Sequence, residues 1–223
     1  ICQTLREDAL AQGIQIEAIG VGSVGQINPH EGIVMDANPN IIGWTGTHIA
    51  EMVGQALDLP IYVENDVRMM ALAETFLGAG KNYDHTLCIT VGTGIGGAIV
   101  MNKQLWHGAN YSAGEIGFIY AAKDETIETM YAGPGIARRY NATHQTDYTL
   151  RDIARRANEG DQSCIGAIQS AAANLGECLA PTLALFDPQV LIVGGGVPEI
   201  GQMWWQPFTE AIAQFNLKSV REM

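Results

Sequence analysis

The sequence of 223 residues is poor in basic side chains, in paired cysteines and in long apolar runs. Its 12 Lys and Arg residues stand against 24 Asp and Glu residues, which gives a formal net charge of −12 at pH 7. This acidic balance disfavours binding to nucleic acids or to anionic membranes through this chain. No stretch approaches the roughly 20 apolar residues that span a bilayer, and none resembles a signal peptide.

The four cysteines are widely spaced and form no CxxC pair. Cys88 falls within an apolar run and Cys178 within a helical pattern, so we predict buried free thiols. Free thiols fit a reducing, cytoplasmic location best. The chain begins at Ile1, within what resembles the middle of a helix, which indicates a piece of a longer protein.

Apolar periodicity and turn residues predict helices and strands in alternation, as in an α/β sheet. Thr47 and Thr149 are expected to cap the helices that they begin. The predicted helices cover 1–13, 47–57, 67–77, 124–131, 136–140, 149–158 and 161–186, and the predicted strands cover 16–21, 61–63, 87–91, 98–101 and 189–193.

The stretch Thr86–Gly97 predicts a β-hairpin whose tip, Gly92-Thr93-Gly94, is nearly all backbone. Glycines at such a tip let a ligand approach main-chain N–H groups closely, and a phosphate gains most from this approach. A tight turn that needs positive φ explains the same glycines equally well. The tip alone therefore leaves both interpretations open.

A second glycine-rich turn, Gly194–Gly196, follows another apolar strand about 100 residues later. Asp66 lies at a third strand end, where a strand leads into a helix. Residues beyond the carboxyl ends of strands line ligand crevices in α/β proteins, although an Asp here also fits a plain helix N-cap. Two such turns and an acid together predict a nucleotide held between the turns.

As a set, these segments resemble the ROK family of bacterial sugar kinases and sugar-responsive repressors, within the actin/hexokinase-like ATPase fold. The similarity covers nearly the whole chain. Glu64-Asn65-Asp66 resembles the family's END segment, in which the Asp is the catalytic base on the sugar hydroxyl. Gly92–Gly97 resembles its second phosphate motif, and Gly194–Val197 resembles its glycine turn on the adenosine side.

Three further positions match sugar-binding residues of the family. Glu115 lies in a segment, Gly114–Gly117, that resembles the family's sugar-binding GEIG, and Glu128 matches the Glu before its Gly-Pro stretch. Asn40 resembles the family's sugar-facing Asn. The resemblance thus implies catalysis by Asp66, sugar binding by Asn40, Asn65, Asp66, Glu115 and Glu128, and nucleotide binding by Thr93, Gly94, Gly195 and Gly196.

The chain departs from most ROK proteins in three ways. Phe118 stands where most members carry a zinc-binding His, and the Cys-rich zinc loop is missing between Phe118 and Glu128. The five His and four Cys residues offer no replacement cluster, so the chain resembles the zinc-less, β-glucoside kinase-like branch and no zinc is expected. The N-terminal DxGGT phosphate motif and the family's final helix are both absent. These absences indicate truncation at both ends, and we do not expect this stretch alone to be a competent enzyme.

The resemblance implies an α/β fold with two domains and a cleft between them. Residues 1–84 would be the remainder of the smaller N-terminal domain, and residues 85–223 the larger, nucleotide-binding domain, incomplete at its end. The implied activity is ATP-dependent phosphorylation of a hexose or hexose derivative, as in glucokinases, fructokinases or β-glucoside kinases. Mg²⁺ would accompany ATP, and the protein would be a homodimer.

One alternative is a ROK-type repressor that responds to a sugar and whose DNA-binding part would precede Ile1. Another is a structural or scaffold relative that binds nucleotide without chemistry. The retained Asp66 and both glycine turns favour the kinase.

Overall fold

The structure, a computed structural model, describes residues 2–38 and 41–215. The chain folds as two compact units, residues 1–70 with 107–113 and residues 71–106 with 114–223. The elements in chain order are α1 Cys2–Ala11, β1 Ile19–Ser23, β2 Gln26–Asn28, β3 Ile33–Asp36, α2 Ile49–Leu57, β4 Ile61–Asn65, α3 Asp66–Leu77, β5 Thr86–Val91, β6 Ile95–Met101, β7 Gln104–Leu105, β8 Tyr120–Ala122, β9 Glu125–Thr126, α4 Ile127–Tyr131, α5 Gly133–His144, α6 Leu150–Asn158, α7 Gln162–Phe186, β10 Val190–Gly194 and α8 Gln202–Phe215.

The first unit is organised around two parallel strands and one hairpin. β1 pairs with β4 from Ile19↔Ile61 to Ser23↔Asn65, and β2 pairs with β3 in antiparallel fashion. Along β4, Val63 is buried while Tyr62 faces solvent, as the period of two in a strand requires. The small core of this unit consists of Ile27, Val34, Ile49 and Val63.

The start of α2 differs from the sequence-based expectation. The sequence predicts Thr47 as the N-cap, but the helix begins at Ile49 and His48 occupies the cap position without a side-chain hydrogen bond. The Thr47 hydroxyl donates backwards to the carbonyl oxygen of Gly43, at 3.2 Å. The prediction was wrong because this hydroxyl closes the preceding turn instead of accepting from the helix.

The second unit contains a four-stranded sheet in the order β10-β5-β6-β7. β5 and β6 form the predicted hairpin, with Val91 opposite Ile95 and the three residues 92–94 at the tip. β10 runs parallel to β5, from Val190↔Thr86 to Gly194↔Thr90. Because the two strands are parallel and adjacent, the segments that follow them leave the sheet at the same edge.

The helices of the second unit supply most of its core. α7 begins at the predicted place, where Asp161 accepts hydrogen bonds from the N–H groups of Ser163 and Cys164. Thr149 caps α6 as predicted and accepts from the N–H of Asp152. Along α7, fully buried side chains recur at the spacing of a helix face: Ile168, Leu175, Leu179 and Leu183. No helix among the described residues is long and apolar enough to cross a membrane.

Candidate active site

The junction between β4 and α3 carries two of the predicted site residues. The Asn65 amide oxygen accepts from the N–H groups of Val67 and Arg68, at 3.0 and 3.2 Å, and its amide nitrogen donates to the carbonyl oxygen of Gly25, at 3.0 Å. Asn65 therefore caps the helix that Asp66 begins. The Asp66 carboxylate is exposed and accepts only a local bond among those described, from the N–H of Val67 at 2.9 Å. It is thus ordered by the helix start and open to a ligand.

A network of Glu64, His107 and Arg68, which we did not predict from the sequence, stabilises this junction. Glu64 Oε2 lies 2.6 Å from Nε2 of His107, and Glu64 Oε1 lies 3.6 Å from the Arg68 guanidinium. The side chain of Arg68 is 1% exposed and donates to the carbonyl oxygens of Tyr111 and Ala113, at 2.7 and 3.2 Å. These bonds fix the loop 107–113 to the start of α3 within the first unit.

In the second unit, the two predicted glycine turns lie side by side at one sheet edge. The N–H of Val197 donates to the carbonyl oxygen of Val91, at 2.9 Å, which joins the two strand ends. A Cβ at Gly92 would come within 4.0 Å of the Gly196 nitrogen. The structure thus brings together Gly195 and Gly196 with the hairpin tip, as a nucleotide held between the turns requires.

Gly195 and Gly196 play different parts in the second turn. Gly195 has φ +96°, and a Cβ there would overlap the Val91 carbonyl and lie 2.8 Å from the Val91 nitrogen. At Gly196 no atom lies within 4 Å of the Cβ position, and both residues are exposed. The fold requires a glycine at the first position, whereas the second leaves an open strip of backbone that suits a flat ligand.

The hairpin tip presents exposed Thr93 beside Gly94. The N–H of Gly92 donates to the carbonyl oxygen of Gly94, at 2.9 Å, and the N–H of Gly133, the first residue of α5, donates to the carbonyl oxygen of Gly92, at 2.8 Å. The N-terminus of α5 therefore adjoins the tip, and the positive end of its helix dipole favours an anion there.

Glu128 is held against this hairpin by a hydrogen bond, and the residue before Glu115 packs on it through backbone. Glu128, on α4, accepts from the N–H of Ile95 through Oε2, at 2.8 Å. Glu115 precedes a 3-10 turn, Ile116–Phe118. Its neighbour Gly114 packs backbone to backbone on β6, where a Cβ would lie 2.8 Å from the Gly97 carbonyl oxygen.

A cavity of about 380 Å³ lies beside the tip and is lined by both Thr93 and Glu128. On its wall, Arg138 donates to Glu125 at 3.3 Å and to the carbonyl oxygen of Thr129 at 2.9 Å. Hydrogen bonds from the Thr129 hydroxyl and from Arg138 lower the pKa of Glu125. The cavity is thus lined by an oriented cation, Arg138, on the second turn of α5.

Two predictions about this site, sugar binding by Asn40 and the lack of zinc, stay predictions. Asn40 lies outside the described residues. Within residues 2–38 and 41–215, no group of three or more His, Cys, Asp or Glu side chains is placed to hold a metal ion. Phe118, at the position of the family's zinc-binding His, is 74% exposed.

Comparison with known proteins decides the family. The sequence matches the ROK family over residues 2–222. The chain belongs to the ROK family. This membership confirms the resemblance drawn from the glycine turns and the three carboxylates.

Similar ROK proteins include both kinases and regulators. The chain is 30% identical to a glucokinase of Streptomyces coelicolor, over 89% of this chain and 70% of that protein. It is 28% identical to a beta-glucoside kinase of Listeria monocytogenes, over 84% of this chain and 67% of that protein. A xylose repressor of Caldicellulosiruptor bescii is 26% identical, over 91% of this chain and 58% of that protein.

Solved ROK structures share the fold. A ROK hexokinase from Thermus thermophilus superposes with a TM-score of 0.84 at 28% identity, covering 96% of this chain and 74% of that one. A ROK family glucokinase from Streptomyces griseus, in complex with glucose and AMPPNP, gives a TM-score of 0.79 at 29% identity, covering 96% and 77%. These neighbours confirm the predicted actin/hexokinase-like ATPase fold.

Proposed function

We propose that this chain provides the sugar- and nucleotide-binding residues of an ATP-dependent kinase for a hexose or a hexose derivative. The observation that carries the proposal is the pair of glycine turns joined at one sheet edge. Their exposed backbone, beside the N-terminus of α5, offers N–H groups to phosphates and an open surface to the adenosine side. Thr93, Gly94, Gly195 and Gly196 are the proposed nucleotide contacts.

Asp66 is the proposed general base. Its carboxylate would accept the proton of the attacking sugar hydroxyl, while Asn40, Asn65, Glu115 and Glu128 orient the ring. Phosphoryl transfer needs little covalent chemistry from the protein, so positioning and charge stabilisation supply most of the acceleration. Asn65 supports this role because its hydrogen bonds fix the backbone on which Asp66 stands.

Mg²⁺ is proposed as the ion that accompanies ATP and neutralises phosphate charge. Such an ion is usually held by substrate phosphates, waters and one or two carboxylates, so it needs no cage of protein ligands. The absence of a three-ligand cluster among the described residues is therefore compatible with this choice. We also propose, from the family resemblance, a cytoplasmic location and a homodimer. Sedimentation of the purified protein would test the homodimer.

The test is ATP consumption by the full-length protein across glucose, fructose, N-acetylmannosamine and a β-glucoside. On the best sugar, Asp66→Asn should lower turnover by about 10²- to 10⁴-fold, the usual range for a general base, while sugar affinity changes little. The Asn side chain keeps the oxygen that accepts from Val67, so the helix start should survive the substitution.

A matched control is Asp161→Asn, which makes the same chemical change at the start of another helix. Asp161 caps α7 and takes no part in the proposed site, so turnover should stay at the wild-type level. Normal turnover in Asp66→Asn would remove Asp66 as the base. No turnover on any sugar by the wild-type protein would count against the kinase.

The second candidate is a sugar-responsive transcriptional regulator, which the similarity to the xylose repressor supports. Sugar binding measured by calorimetry separates the two candidates. Binding without ATP consumption favours the regulator, whereas binding with turnover that depends on Asp66 favours the kinase.

A further inference from the structure

One hydrogen bond links Glu128, a proposed sugar-binding residue, to the hairpin of β5 and β6. We call this hairpin, with its tip at residues 92–94, the phosphate hairpin. Glu128 Oε2 accepts from the backbone N–H of Ile95, the first residue of β6, at 2.8 Å. Ile95 is 3% exposed, so water is a poor substitute for this acceptor. A buried N–H that loses its partner is costly, so the carboxylate is needed to keep the backbone in this position.

Gly94 shows how closely the carboxylate approaches the hairpin tip. A Cβ at Gly94 would lie 2.6 Å from Glu128 Oε2 and 3.4 Å from its Cδ, and these are the only heavy atoms within 4 Å. Gly94 does not adopt a positive φ. Its lack of a side chain is therefore explained by the approach of Glu128 rather than by backbone conformation.

The other side of the tip is held independently. The carbonyl oxygen of Gly92 accepts from the N–H of Gly133, at the start of α5. With Glu128 bound at Ile95, the three-residue tip is fixed at both of its ends. The two anchors leave exposed Thr93 and half-buried Gly94 between them.

We propose that Glu128 is a positioning residue for the phosphate hairpin, acting through the Ile95 N–H, in addition to any contact with the sugar. The proposal rests on the proposed function, in which this hairpin holds ATP phosphates. It assigns Glu128 an effect on nucleotide binding even when no sugar is present. A residue that only bound sugar would have no such effect.

The first experiment measures hydrogen exchange at the Ile95 amide by NMR in the full-length protein. Glu128→Ala should speed this exchange by about tenfold or more, because the amide loses its acceptor. Glu128→Gln keeps an oxygen acceptor and should leave the amide protected. The Val197 amide, which donates to Val91, is the internal control and should be unchanged in both variants.

The second experiment measures AMPPNP affinity by calorimetry without sugar. Glu128→Ala should weaken binding about tenfold or more, and Glu128→Gln should bind within about twofold of wild type. Equal affinity of wild type and Glu128→Ala would overturn the proposal. If wild-type protein binds no AMPPNP, the kinase and this proposal both fail, and the Ile95 exchange rates then report the bond alone.

A pair of glycine substitutions tests the same contact without removing Glu128. Gly94→Ala should displace the carboxylate and speed Ile95 exchange, whereas Gly92→Ala, with its nearest atom at 4.0 Å, should not. In a Glu128→Ala background, Gly94→Ala should add no further increase. Identical Ile95 exchange in Gly94→Ala and Gly92→Ala would overturn the proposed contact.

Discussion

The neighbouring glycines of the second turn allow stability and nucleotide binding to be perturbed separately. Gly195→Ala places a methyl group against the Val91 backbone at φ +96°, which an L-residue rarely adopts. Gly196→Ala places the same methyl group where no protein atom lies within 4 Å. The two variants therefore make one chemical change in two different surroundings.

The expected magnitudes differ clearly. For Gly195→Ala, backbone strain of about 1–3 kcal/mol and overpacking of about 1–3 kcal/mol give roughly 2–6 kcal/mol of destabilisation. At about 2–4 °C per kcal/mol for a chain of this size, Tm should fall by at least about 4 °C. Gly196→Ala should leave Tm unchanged or raise it slightly, since the unfolded chain loses conformational freedom.

We expect AMPPNP binding to be weakened by Gly196→Ala, although this variant should leave Tm unchanged or slightly higher. If the adenosine side lies flat on the turn, the methyl group of Gly196→Ala meets the ligand. The cost of such overpacking, about 1–3 kcal/mol, weakens AMPPNP binding roughly 5- to 150-fold. Thermal unfolding and calorimetry on both variants provide the measurements. An equal loss of Tm in the two variants, or full AMPPNP affinity in a stable Gly196→Ala, would refute the reasoning.

Three further predictions concern stability and reactivity. Arg68→Lys loses the planar guanidinium whose Nη2 donates to two carbonyls of the loop 107–113, and chemical denaturation should show a loss of about 2–4 kcal/mol; a loss below about 1 kcal/mol would contradict that role. Burial raises the pKa of the Cys88 thiol to about 11, so iodoacetamide at pH 8 should modify exposed Cys2 and spare Cys88, as judged by mass spectrometry. Hydrogen bonds from the Ser163 hydroxyl and the Cys164 N–H lower the pKa of Asp161, so its stabilising effect is present above the unfolded value of 3.8 and is lost as pH falls through the folded pKa. Asp161→Asn should flatten the fall in Tm between about pH 5 and pH 3, and an unchanged acid profile would exclude Asp161 as a contributor.

The sequence was sufficient to predict the features that depend on local chemistry. The apolar run Leu87–Val91 forms most of β5, and the glycines that follow it form the predicted tip. Asp161 and Thr149 are good N-caps ahead of amphipathic segments, and both helices begin where expected. The prediction of Thr47 as an N-cap was wrong because its hydroxyl can bond either to the helix start or to the preceding turn, and it bonds to the turn.

Contacts between distant residues could not be predicted in this way. Glu64 and His107 are separated by 43 positions, and nothing in either neighbourhood indicates that they pair. The Ile95 N–H and Glu128 are likewise 33 positions apart. Each contact depends on how elements that are distant in sequence pack against one another, which periodicity and capping rules do not describe.

The structural and the functional interpretations of the site residues are not alternatives. Asn65 caps α3, Asp66 accepts from its first turn, and Glu128 holds the hairpin, yet each is also a proposed ligand or base. A polar side chain that the backbone already orders loses little freedom when a ligand binds, so a structural bond is one way to preorganise a site. Substitution by Ala removes both roles at once. Isosteric changes such as Asp66→Asn and Glu128→Gln, which keep the accepting oxygen, are therefore the variants that can separate chemistry from folding at these positions.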